Sequence, residues 1–141
     1  MLALLAAVPN GCGADITGVN RELSSARARW AASQPTAYEI TVRTSCFCAE
    51  TRPVIVAVRA GVVESRRYAD TGLAIDPRFT SLFPAVEGLF AIVDDAVARN
   101  AAQLDVQYDA ERGFPVRIAI DYLKNAIDDE ITYVVTDFKV R

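Results

Sequence analysis

Cys46 and Cys48, one on each side of Phe47, are the residues of this chain whose type and spacing best suit covalent chemistry. Such a pair can close a small disulfide ring, exchange electrons as a dithiol, or offer two thiolates to a metal. On a flat strand, Cα atoms two residues apart lie roughly 6.5–7 Å from each other, from a rise of about 3.3 Å per residue. That is the outer limit for a bridge, so bonding requires the backbone to bend. A ring this local removes little chain entropy and is easily reduced if strained. A metal centre needs further ligands, usually imidazole or more sulfur. The chain has no histidine, and Met1 is its single methionine. A structural bridge is the leading expectation, two packed thiols the next, and a redox or metal pair the last. The sequence implies no cofactor.

Cys12, the third cysteine, follows the apolar run Leu2-Ala3-Leu4-Leu5-Ala6-Ala7-Val8 and precedes Gly13-Ala14-Asp15. An apolar segment of that size, ended by a small residue and a cysteine, resembles a bacterial lipoprotein signal. Pro9 and Asn10 depart from that pattern, and no basic residue precedes Arg21. Cys12 is the candidate for lipidation, which would attach the chain to a membrane outside the cytoplasm. Residues 1–16 are therefore expected to be signal and linker, and residues 17–141 one domain.

Composition narrows the chemistry further. Without histidine the chain lacks the commonest general base and metal ligand. A net charge of −3 argues against nucleic-acid binding, which runs on clustered Lys and Arg. The acids Asp121, Asp128, Asp129 and Glu130 cluster in sequence, but their spacing matches no calcium loop. They read as a solvated turn. Trp30, Tyr108 and Tyr122 are pocket candidates among the aromatics, although aromatics at such spacings are more often core. Tyr108 and Tyr122 are the stronger two, because a buried phenol needs a partner.

The elements that would position these residues follow from periodicity. Val19, Leu23, Ala26 and Trp30 recur at helical spacing, predicting a helix over about 18–32. From Tyr38 the period becomes two. Tyr38, Ile40, Val42, Thr44, Cys46 and Cys48 share one strand face, and Glu39, Thr41, Arg43, Ser45 and Phe47 the other. Val54, Val56 and Val58 predict a second strand, and Arg59-Ala60-Gly61 a hairpin turn with Gly61 at positive φ. A more polar third strand from Val62 to Tyr68 reads as an edge. Leu82, Val86, Leu89, Phe90, Val93 and Val97 predict a helix over about 82–100, with Pro84 in its first turn. Gly88 inside it suggests close packing. Leu104–Tyr108, Val116–Tyr122 and Ile131–Val140 predict three more strands, with Pro115 opening the second of them. Short links demand antiparallel pairing. The expected fold is α+β: an antiparallel sheet of about six strands, two helices on one face, in the order α-βββ-α-βββ.

Several blocks together resemble a known family. They are Cys46-Phe47-Cys48, Val54 to Val58 with Gly61-Val62-Val63, and Glu87-Gly88-Leu89-Phe90. Further along come Tyr108-Asp109, Gly113-Phe114-Pro115, Ile118, Ile120-Asp121 and Asp128-Asp129-Glu130. Over roughly residues 28–138 this resembles DUF6174, bacterial domains of unknown function often found as small predicted lipoproteins. The resemblance implies export to the envelope and a compact α+β domain, and it carries over no catalytic residue. The function expected is a non-enzymatic envelope module that binds a protein or small ligand through one face of its sheet. The alternative is a thiol–disulfide protein using Cys46 and Cys48.

Overall fold

The computed structural model describes residues 16–141. Cys12 and the apolar run before it lie outside the described residues. The element order is α1 (Ile16–Ser33), β1 (Ala37–Cys46), β2 (Val54–Arg59), β3 (Val62–Tyr68), a 3-10 turn (Pro77–Leu82), α2 (Val86–Ala98), β4 (Gln103–Tyr108), β5 (Pro115–Asp121) and β6 (Glu130–Val140). All six strands join one antiparallel sheet in the order β3-β2-β1-β6-β5-β4. The α+β arrangement and the α-βββ-α-βββ order are those the periodicity dictates.

Two three-stranded meanders thus meet along β1 and β6. The first contributes its first strand to the seam and the second contributes its last. A repeated αβββ unit related by a two-fold axis would pair equivalent strands, so the halves are not such a repeat. The seam runs from Tyr38 opposite Val140 to Cys46 opposite Ile131, with a bulge beside Thr41 and Val42.

Alternation decides which face is buried. Tyr38, Ile40 and Val42 of β1 and Val54, Val56 and Val58 of β2 are at most 2% exposed and point to one side. Ile118 and Ile120 of β5 and Tyr133 of β6 join them there. Both helices cover this side. From α1 come Leu23, Ala26 and Trp30, and from α2 come Val86, Leu89, Phe90 and Val93. The helices are tied to each other by an Arg27–Asp94 ion pair and by Trp30 Nε1 donating to Glu87 Oε1 at 2.7 Å.

The second helix is shorter than its apolar repeat predicts. It begins at Val86, so Pro84 lies before it and not in its first turn. The backbone N–H of Val86, unpaired within the helix, donates to buried Tyr38 Oη at 3.4 Å. Gly88 accounts for the position of Pro84: a Cβ at residue 88 would sit 2.7 Å from Pro84 Cβ. Leu82 belongs to the 3-10 turn, whose Asp76 side chain caps the Arg78 N–H.

Left-handed backbone shapes both the β2–β3 hairpin and the β4–β5 loop. Ala60 (φ 49°) and Gly61 (φ 77°) form the β2–β3 hairpin, which requires positive φ at both central residues. Gly113 (φ 82°) ends the β4–β5 loop against α1, where any Cβ would strike the Ala26 carbonyl and come within 2.8 Å of Arg29 Cβ. Here glycine serves both the backbone conformation and the close approach.

Candidate functional site

The Cys46 and Cys48 sulfurs are bonded, with Cα atoms 5.2 Å apart. Strand β1 stops at Cys46 and the chain bends through residues 47–49, so Cys48 does not continue the strand face as alternation alone predicts. The bend turns Phe47 outward, and it is 86% exposed. The three-residue ring restricts the backbone at Phe47, so its side chain leaves the surface in a set direction.

A polar cluster beneath the ring sets its position. Glu50 is buried, and its carboxylate accepts from the Arg52 backbone N–H at 2.9 Å and from the Arg52 guanidinium at 3.1 and 3.3 Å. It also accepts from Tyr68 Oη at 2.9 Å. The Arg52 guanidinium lies 3.6 Å from the centre of the Tyr68 ring. The hydrogen bonds from Arg52 hold the Glu50 carboxyl down to about 2, against the opposing effect of burial. The same carboxylate raises the Tyr68 phenol. The Cys48 sulfur is 3.6 Å from the Glu50 carbonyl oxygen. Sequence reading takes residues 50–53 as a plain turn. A Glu two residues before an Arg was the one available sign of this clamp.

Among the described residues the other sheet face carries no helix, and register fixes what stands on it. Glu39, Thr41, Arg43 and Ser45 of β1 point there, as do Arg117, Ala119 and Asp121 of β5 and Glu130, Thr132 and Val134 of β6. Over β1 to β3 the face is closed by charge. Arg67 and Arg141 converge on Glu39, and Arg141 and Arg59 converge on Glu64. From β1 to β4 it is open. Ser45, Thr132, Ala119 and Asp105 stand in register across four strands. The first three are small, so they floor a trough running across the strands.

Two adjoining hollows of about 310 Å³ each make up this trough, and both include Glu130 and Thr132. One reaches β4 through Asp105, Arg117 and Asp121. The other ends against Phe47 and Ile127, with Asp128 beside them. Ile127, in the β5–β6 loop, is 92% exposed. Four carboxylates therefore line the trough against one guanidinium, Arg117, which is paired with Asp105 at 2.6 Å. The acids read from sequence as a solvated turn form one wall of it. The carboxylate of Asp129, between Asp128 and Glu130, is buried and has no hydrogen-bond partner among the described residues. Among the described residues no group of Cys, Asp and Glu is arranged to hold a metal ion.

The three aromatic candidates are not brought together. Trp30 is a core residue, edge-on to Tyr38, Phe114 and Phe138. Tyr122 Oη donates to Asp95 at 3.1 Å while Arg99 covers its ring. Tyr108 lines a groove of about 420 Å³ between α1 and β4 that also includes Arg21, Ser25 and Arg29. Its hydroxyl is buried with no partner among the described residues, and burial pushes the phenol up to about 12.

Among the described residues no helix is long and apolar enough to cross a membrane. The model of a family of unknown function, DUF6174, matches residues 22–140. No curated protein and no solved structure matches the chain.

Proposed function

The chain belongs to the DUF6174 family, whose function is unknown, and from that premise we propose that it is an exported, lipid-anchored envelope domain that binds a partner through the helix-free face of its sheet. Cys12 carries the lipid in this reading. Several acyl chains on one cysteine hold a protein firmly at a bilayer, where a single chain does not. The observation that carries the reading is the bonded, partly buried Cys46–Cys48 pair. Disulfides persist in oxidising compartments and are rare in the cytosol. Its product is a displayed aromatic side chain at the mouth of an open trough, a feature suited to recognition. Nothing in the proposal requires catalysis.

Intact mass of the chain from its native host tests the address. A fragment beginning at Cys12 with a lipid-sized increment, and two thiols that react only after reduction, is the expected result. An unprocessed chain with three free thiols overturns export and bridging together. The accessibility of the pair favours a second reading, thiol–disulfide exchange. That activity needs a stabilised thiolate, whereas Arg52, the nearest downstream cation in sequence, is bound to Glu50 and stacked on Tyr68. Insulin reduction driven by dithiothreitol separates the two. A rate above that of the Cys46→Ser, Cys48→Ser variant would establish exchange, and an equal rate leaves the binding role.

A further inference from the structure

We infer that the trough across β1, β6, β5 and β4 receives an extended cationic peptide segment of a protein partner, with an apolar side chain of that segment seated between Phe47 and Ile127. The inference deepens the proposed binding role and rests on it. Its shape comes from the floor: Ser45, Thr132 and Ala119 are small, and the rows beside them are larger. Adjacent strands are about 4.8 Å apart, so four strands give a channel about 14 Å long, enough for about four extended residues at 3.3 Å each. The segment lies across the strands and pairs with none of them.

Charge selects the occupant. Asp121, Asp128 and Glu130 line the trough, and among the described residues none of them has an ion-pair partner; the Asp121 carboxylate accepts the Leu123 N–H. The rest of this sheet face is already neutralised by its Arg–Glu network, so the negative field is confined to the trough. Arg43 stands exposed on the same face beside Ser45 and sets a limit on how far along β1 a cation can sit. A lysine- or arginine-bearing segment gains three carboxylates, and complementary charge speeds and orients its encounter. Phe47 and Ile127 add the apolar contact: two large side chains, both more than four-fifths exposed, bordering one hollow. Aromatic anchors of this kind dominate interface energetics. The same acids repel an anionic lipid surface, which is the other surface that an exposed Phe and Ile would suit.

The test uses the full chain and a fluorescein-labelled, end-capped hexapeptide alternating lysine and phenylalanine, read by anisotropy. The counterpart peptide has glutamate in place of lysine. Binding of the lysine peptide, at least tenfold tighter than the glutamate peptide and weakening with salt, is expected. Asp121→Asn combined with Glu130→Gln should weaken it about tenfold, and Phe47→Ser should do so by a similar factor at any salt. Circular dichroism melts confirm that each variant is folded. Should the melt show Asp121→Asn, Glu130→Gln to be unfolded, Glu130→Gln alone carries the test. Equal binding of the two peptides, or unchanged binding by the folded variants, overturns the inference. So does capture by phosphatidylglycerol vesicles in place of the peptide. The mass measurement on Cys12 and the disulfide reads the envelope reading separately, so either can fail without the other.

Discussion

Replacing Glu50 by Gln should remove a pH-dependent share of the stability of the domain. The carboxylate accepts four hydrogen bonds, three from Arg52 and one from Tyr68. Glutamine keeps the shape but loses the charge and half of the accepting capacity, so at least one buried donor is left unpaired. From an ordinary 4.5 the Glu50 carboxyl is lowered to about 2, and at 1.36 kcal/mol per pH unit the ceiling is about 3 kcal/mol. Arg52 is half exposed, so solvent screens the pair and about 1.5 kcal/mol is the expected contribution. The sign follows from proton binding. Between pH 2 and 4.5 the unfolded chain binds the Glu50 proton and the native state does not. The contribution is therefore complete above pH 4.5 and lost as pH falls towards 2. Urea titrations followed by fluorescence of buried Trp30 measure it. At pH 7 the variant should be less stable by about 1–2 kcal/mol, the cost of a broken charged hydrogen-bond cluster. The gap should narrow steadily between pH 4.5 and 2. A gap that stays constant over that range refutes the assignment of the stabilisation to the charged form. No gap at pH 7 refutes the clamp itself.

Other perturbations test separate parts of the fold. Reduction of Cys46–Cys48, or its replacement by serines, should cost about 1.5 kcal/mol, the chain-entropy value for a loop of three residues, seen as a lower urea midpoint with an unchanged slope. Gly113→Ala should cost about 3 kcal/mol or more, since its Cβ would meet α1 as well as an unfavourable φ. Gly61→Ala, with positive φ but open space around it, should cost only about 1 kcal/mol, and equal losses at the two positions in thermal melts would show the α1 contact to be unimportant. Tyr108→Phe removes a buried hydroxyl that has no partner among the described residues and should leave the domain as stable or about 1 kcal/mol more so. A clear loss in the melt would mean that the hydroxyl is in fact hydrogen-bonded.

Much of this protein is written in local pattern. Period-two runs with apolar residues on one side place a strand over a core, and such runs, with the more polar β3 at the edge, joined by short links form an antiparallel sheet. The 3- and 4-residue steps of Leu23, Ala26 and Trp30, and of Leu89, Phe90 and Val93, likewise name the two faces that cover it. The family was legible too, because its blocks are short and ordered along the chain. The start of α2 was not, since Leu82 and Val86 fit one apolar repeat while the packing of Pro84 against Gly88 and the Val86–Tyr38 hydrogen bond place the helix start after the proline. The roles of the aromatics were equally out of reach. Trp30, Tyr108 and Tyr122 differ in what surrounds them, and that depends on Phe114, Asp95 and Arg29 arriving from elsewhere in the chain. Glu50 became a buried clamp only because β3 brings Tyr68 to it. The trough, finally, exists because β1 and β6, the first and last strands, are neighbours. That pairing sets Phe47 beside Glu130 and Ile127 across some 80 residues of chain. Sequence determines which side of each strand is wet. Strand order, a property of long-range closure, decides which wet residues share a surface.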